Sequence, residues 1–242
     1  MSSRQKISPI KQISAELKSR ASKSRSSILQ RFFKTGPGQY GAGDVFLGLS
    51  VPLQRQIARK YVDLDRSALQ ALLNSEFHEF RLVALLILVA QYETAQELKD
   101  KRSIVDFYLK NTHRINNWDL VDLSVYKILG DFLLLTGKTA LVERLAVSRN
   151  LWERRIAMIA TYAFIKAGRS KETFIIAKKL LKDEQDLIHK AVGWMLRELG
   201  KRVSKAELKD FLDEHHQAMP RTALRYAIER FSPKERKHYL TK

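Results

Sequence analysis

Asp122 stands four residues after Trp118 in the segment "NNWDLVDLS" (116–124). On a helix that spacing puts the two on one face, a carboxylate one turn from an indole. Such a pair suits a substrate that carries or develops positive charge. A ring face attracts a cation by ~0.5–2 kcal/mol, and a fixed carboxylate stabilises a developing cation or takes a proton from an attacking water. Asp119, in the first turn of the same helix, has a simpler use as a partner for the helix dipole. The rest of the chain has the opposite sign. Its 242 residues carry a formal net charge of +18 and a pI near 10.1. Residues 1–35, 36–100, 101–200 and 201–242 have net charges of +8, −2, +7 and +5. That balance implies a polyanionic partner, with nucleic acid first; ribosome-associated and membrane-surface proteins share it.

The composition narrows the chemistry. Cysteine is absent, which excludes disulfides, thiolate nucleophiles and cysteine-held metals. The six histidines include no H-x-x-x-H pair, so a zinc site is not expected. No lysine stands out as a Schiff-base nucleophile, so no covalent intermediate is expected. The longest apolar run, "LVALLILVA" (82–90), is too short to span a bilayer and reads as a buried helix. The basic, Ser-rich N-terminus lacks the apolar core of a signal peptide and reads as a surface helix, with a transit peptide as the alternative. Together these predict a cytoplasmic protein with no membrane partner.

Helices must position these residues, and they repeat. "EFRLVALLILVAQY" (79–92), "NWDLVDLSVYKILG" (117–130), "ERRIAMIATYAFIK" (153–166) and "HKAVGWMLRELGKR" (189–202) each open polar and continue with an apolar stripe; a weaker copy, "RYAIERF", covers 225–231. A period near 36 residues, filled by helix pairs, predicts an all-α, HEAT-like helical-repeat solenoid with a concave basic groove. The division expected is a basic helical segment, 1–35, packing on a repeat domain, 36–242, within one structural domain. Ile10, Ile13 and Leu17 fall on one face of a helix in the first segment. "GPGQYGAGDVFLG" (36–48) holds five of the ten glycines, lacks the G-K-[ST] of a Walker A loop and reads as a connector in preference to a phosphate cradle.

Residues opening the repeated helices would line the groove: Arg81, then Trp118, Asp119 and Asp122, then Arg154 and Arg155, then Lys190 and Trp194. Lys190, Trp194, Arg197 and Lys201 form one stripe, basic with an aromatic in it. Asp122 is either a plain ion pair with Arg155 or a group exposed in the groove. Trp118 and Trp194 are either packing ridges or lining residues, while Trp152, Tyr92, Tyr108 and Tyr162 read as packing.

Four segments, "FLGLSVP", "NNWDLVDLS", "LWERRIAMIATYAF" and "LIHKAVGWMLRELGKR", together resemble the AlkD-type DNA alkylation-repair glycosylases, over about residues 30–240. The resemblance implies a HEAT-like solenoid that excises positively charged alkylated purines from duplex DNA in base excision repair, without metal or cofactor and as a monomer. It implies Asp122 as the catalytic carboxylate, Trp118 and Trp194 as its flanking aromatics, Arg155 as the arginine of the following repeat, and Arg197 as a DNA contact. Tyr40 falls near a family tyrosine, on a loop longer and richer in glycine than is usual in the family. Arg154, Lys190, Lys201 and Arg81 complete the expected DNA-binding set. A non-catalytic repeat protein that binds damaged or branched DNA would share the scaffold, and a HEAT-type adaptor that binds protein is a further reading.

Overall fold

The computed structural model describes residues 8–241. Residues 1–7, the start of the expected basic segment, and Lys242, the end of the expected repeat domain, lie outside them. The described residues are helical, with no strand beyond an isolated bridge between Val45 and Phe77. They fall into two compact units, divided between Leu120 and Val121. No helix among them is long and apolar enough to cross a membrane.

The first unit holds α1 (Pro9–Ser19), α2 (Lys23–Phe32), α3 (Val51–Lys60), α4 (Arg66–Leu73), α5 (His78–Thr94) and α6 (Leu98–Lys110), then a 3-10 turn (Thr112–Arg114) and the start of α7 (Trp118–Val125). The helix α5 is its core. Every residue from His78 to Val89 is buried, because α1, α3, α4 and α6 pack around it. Each fully buried Leu or Ile there contributes about 1.5–3 kcal/mol relative to exposure. The helix α1 turns Ile13 and Leu17 inward, both 0% exposed, onto α3, α4 and α5. Asp65 caps α4 by accepting from the Ala68 N–H at 2.7 Å.

The glycine-rich connector is tied to the first turn of α5. The Glu79 carboxylate, fully buried, accepts the backbone N–H groups of Leu47, Gly48 and Leu49 at 2.9, 2.8 and 3.2 Å. Gly48 has φ +90°, and a side chain there would collide with the backbone of Ser22 and Ser26. The connector is thus a fixed loop leading from α2 to α3.

The second unit continues α7 through a π turn (Tyr126–Gly130) into α8 (Asp131–Thr136). It then runs through α9 (Ala140–Leu145), α10 (Leu151–Ala160), α11 (Tyr162–Lys166), α12 (Lys171–Leu180), α13 (Asp186–Arg202), α14 (Lys205–His215), α15 (Arg221–Ala227) and α16 (Pro233–Leu240). Its central element is α13, which packs on α10, α11, α12, α14 and α15. A Cβ on Gly193 would lie 2.4 Å from the Ala223 carbonyl, so α13 and α15 meet backbone to backbone. Gly200 is inside α13, and its missing side chain makes room for Leu208. Asn150 caps α10, Ser204 caps α14, and Ser232 with Glu235 forms a capping box on α16.

All four repeated sequence segments are therefore helical, and the chain is an all-α helical-repeat protein.

Candidate active site

The side chains expected to carry chemistry lie in both units. In the second unit, Asp122 on α7 and Arg155 on α10 form a bidentate pair. Arg155 Nε donates to Asp122 Oδ1 at 2.9 Å and its terminal NH2 nitrogen to Oδ2 at 2.7 Å. The other terminal nitrogen of Arg155 donates to the Leu187 carbonyl at 2.5 Å, at the first turn of α13. The Arg155 side chain is 6% exposed and that of Asp122 13%. Arg155 is thus locked by two helices, and it holds both oxygens of Asp122 in one plane with an edge toward solvent.

Next to this pair runs a row of half-buried aromatics. Tyr126 lies one turn beyond Asp122 and meets Tyr162 edge to face at 5.2 Å. Tyr162 faces Trp194 at 6.4 Å. Lys166 lies over Tyr126 and Arg202 over Tyr162. Tyr162, expected as packing, is only half-buried and belongs to this row, whereas Tyr92, Tyr108 and Trp152 are buried in the core.

In the first unit, Trp118 opens α7 and is also half-buried. Its ring stacks on Phe33 at 5.0 Å and 11° and receives the edge of Phe32 at 5.9 Å. Phe32 is 61% exposed, unusual for so large an apolar group. Behind Phe33 the column continues through Phe46 to the His78 ring. His78 is held at both nitrogens: Asp119 Oδ2 lies 2.8 Å from Nε2 and Asp44 Oδ2 lies 3.1 Å from Nδ1. Arg81 donates to Asp44 Oδ1 at 2.5 Å and Asn117 to Asp44 Oδ2 at 3.0 Å.

Of the cations expected to bind DNA, Arg81, Arg154, Lys190 and Arg197 are each paired with an acid of the protein, and the first two are also bonded to backbone carbonyls. Arg81 is 2% exposed, and its terminal nitrogens donate to Asp44 and to the carbonyls of Ser75 and Glu76. It is part of the core of the first unit and cannot present its charge to a phosphate. The side chain of Arg154, 17% exposed, is paired with Asp183 at 2.5 Å and bonded to the carbonyls of Ser148 and Arg149. On α13, Lys190 pairs with Asp186 at 2.7 Å, Arg197 pairs with Glu229, and Lys201 is exposed. Tyr40 lies on the connector with its hydroxyl donating to the Phe32 carbonyl at 3.4 Å. It thus bonds one of the two phenylalanines that touch Trp118.

A family model described as DNA alkylation repair enzyme matches residues 13–231. The chain belongs to that family. Two solved structures have the same fold. One is a predicted DNA alkylation repair enzyme from Enterococcus faecalis, with TM-score 0.68 and 16% identity, covering 88% of this chain and 97% of that one. The other is AlkD2 from Streptococcus mutans, with TM-score 0.58 and 17% identity, covering 91% and 98%. No curated protein matches in sequence.

In this alkylation-repair protein the carboxylates divide by environment. Asp122 keeps an edge in solvent beside aromatics, while Asp119, the other acid of "NNWDLVDLS", is buried against His78. Burial opposes charge on His78. The neighbouring Asp119 charge and the hydrogen bonds that the ring donates to both carboxylates outweigh it and raise its pKa to about 9. Burial also opposes charge on Asp44, but His78, Arg81 and Asn117 together hold its pKa below the usual carboxylate value. The signs follow from linkage. The His78 contribution to stability is complete below its unfolded value of about 6.5 and is lost as pH rises through about 9. The Asp44 contribution is present above its unfolded value and lost as pH falls through its lowered folded one. Urea midpoints should accordingly be highest at mildly acidic pH and be lower at about pH 9.5 than at about pH 7. A midpoint that rises over that interval contradicts the assignment.

Proposed function

We propose that this alkylation-repair protein is a monofunctional DNA glycosylase that hydrolyses the N-glycosidic bond of positively charged alkylated purines, of the 3-methyladenine and 7-methylguanine type, in duplex DNA. The observation that carries the reading is Asp122: a solvent-edged carboxylate fixed bidentately by Arg155, one helical turn from Trp118 along α7.

Alkylation at N3 or N7 makes the purine cationic and already a good leaving group. Its departure leaves positive charge on the deoxyribose. Asp122 stabilises that charge without reorganisation, since Arg155 already orients it, and it accepts a proton from the incoming water. Both Asp122 oxygens act as acceptors toward Arg155, the arrangement of an ionised carboxylate. Trp118 and Trp194 supply electron-rich faces for the electron-poor nucleotide. Lys190, Arg197 and Lys201 on α13 supply phosphate contacts. The protein acts as a monomer in the cytoplasm, bound to the nucleoid, and needs no cofactor.

The test is release of 7-methylguanine and 3-methyladenine from methylated duplex DNA by the purified chain. Release supports the reading, and intact substrate under saturating protein rejects it. A second expectation concerns affinity. Each phosphate neutralised adds about −0.9 to the slope of log affinity against log salt. DNA binding measured at several salt concentrations should weaken steeply, and a flat dependence contradicts phosphate-driven binding.

One observation favours a second reading. Arg155 already occupies both oxygens of Asp122, as in an ordinary structural ion pair. On that reading the chain binds damaged or branched DNA without excising a base.

A further inference from the structure

We propose that His78 is a positioning residue for Trp118, fixing it as an imidazolium shared between Asp44 and Asp119; this adds a residue to the glycosylase reading and rests on it.

The geometry dictates the protonation state. Both ring nitrogens face carboxylate oxygens, at 3.1 and 2.8 Å. A neutral imidazole has one N–H and would turn a lone pair toward one carboxylate; only the doubly protonated ring donates to both. The side chains of His78, Asp44 and Asp119 are 2, 4 and 8% exposed, which leaves little solvent to substitute for a lost bond.

The two carboxylates hold the backbone on either side of Trp118. Asp44 accepts from the side chain of Asn117, whose own oxygen accepts the Trp118 N–H at 2.8 Å. Asp119 Oδ1 accepts the Leu120 N–H at 2.8 Å. The ring of Trp118 is reached from the same histidine by stacking: His78 on Phe46 at 4.5 Å, Phe46 on Phe33 at 4.9 Å, Phe33 on Trp118 at 5.0 Å. One cation thus closes the base of the aromatic column and ties down the helix start above it.

The charged groups around it are few. Asp44 comes from the connector and Asp119 from α7. On α5 itself, Arg81 pairs with the other oxygen of Asp44, while Glu79 is turned to the connector backbone. Arg114 of the 3-10 turn acts on Arg81 and Asp44 at longer range. Two carboxylates balance His78 and Arg81. Loss of the histidine proton leaves one negative charge in excess and breaks one of the two bonds, and Trp118 is released from its fixed position.

The experiment uses the full chain labelled with fluorinated tryptophan, which gives one fluorine resonance for each of the three tryptophans. The Trp118 resonance is assigned by its absence in Trp118→Phe. Between about pH 7 and about pH 10.5 it should titrate with a midpoint near 9 in the wild type. In Asp119→Asn, which removes the strongest influence raising the histidine pKa, the midpoint should fall by at least about one unit. In His78→Gln the titration should vanish. Excision per bound duplex should fall about tenfold across the wild-type midpoint. A Trp118 resonance indifferent to pH, or one with an unchanged midpoint in Asp119→Asn, overturns the proposal; the latter comparison stands even if His78→Gln does not fold. The fluorine titration is read without DNA. A chain that titrates as expected and excises nothing therefore loses the glycosylase reading while the coupling of His78 to Trp118 stands.

Discussion

Asp122→Asn should lower the rate of alkylpurine release by about 10²–10³-fold while DNA affinity stays within about twofold. The substitution preserves shape and one acceptor for Arg155. What it removes is the charge, and charge matters only as the sugar becomes positive. An interaction made only in the transition state lowers the rate constant and leaves binding alone. The Arg155 guanidinium, 6% exposed, is then opposed by a neutral amide, so the variant should also melt lower. Rates are therefore compared below its melting transition, with binding of an unmodified duplex as the control. A variant as active as the wild type would leave Asp122 as an ion pair and nothing more.

The second large effect lies in the first unit. Asp44→Ala should cost about 3–5 kcal/mol of folding stability, read from urea unfolding, because it strands buried cations. Asp44 is the common partner of Arg81, His78 and Asn117, and its side chain is 4% exposed. Without it, Arg81 keeps only the carbonyls of Ser75 and Glu76, and His78 keeps only Asp119. The connector also loses its tie to α5 through Asp44. A loss below about 1 kcal/mol would mean that the cluster relaxes into solvent and holds little in place.

The helices were legible in the sequence because apolar residues at helical spacing must find a buried face, whichever neighbour provides it. The helices α5, α7, α10 and α13 lie where their apolar stripes placed them, and Ile13 and Leu17 of α1 face inward as their spacing requires. The pairing of Asp122 with Arg155 was open to a sequence reading as one of two arrangements, since an acid and a base at equivalent places in successive repeats come within reach.

The partners of Arg81 and Arg154 were not legible. A basic residue in the first turn of a helix looks the same in sequence whether it faces solvent or a carboxylate. The carboxylates concerned, Asp44 and Asp183, lie in irregular segments with no periodicity to reveal them. The glycines of 36–48 announced a connector, but Asp44 within it carries the charge that matters. Phe32 and Phe33 passed unnoticed for a related reason. They are adjacent in sequence, yet one is 61% and the other 6% exposed, because α2 ends between them and the backbone turns. The π turn at Tyr126–Gly130 also had no local signal. Its Gly130 is matched to the Ala160 carbonyl on another helix, which a Cβ would approach to 2.4 Å.

The central claim is that Asp122 meets positive charge on the sugar of the damaged nucleotide. It is tested most directly by comparing two duplexes that differ only at one abasic position. One carries a neutral tetrahydrofuran and the other a cationic pyrrolidine ring that imitates the departing sugar. The wild type should bind the cationic duplex at least about a hundredfold more tightly, and Asp122→Asn should lose most of that preference. Equal affinity of the wild type for both duplexes would contradict the account.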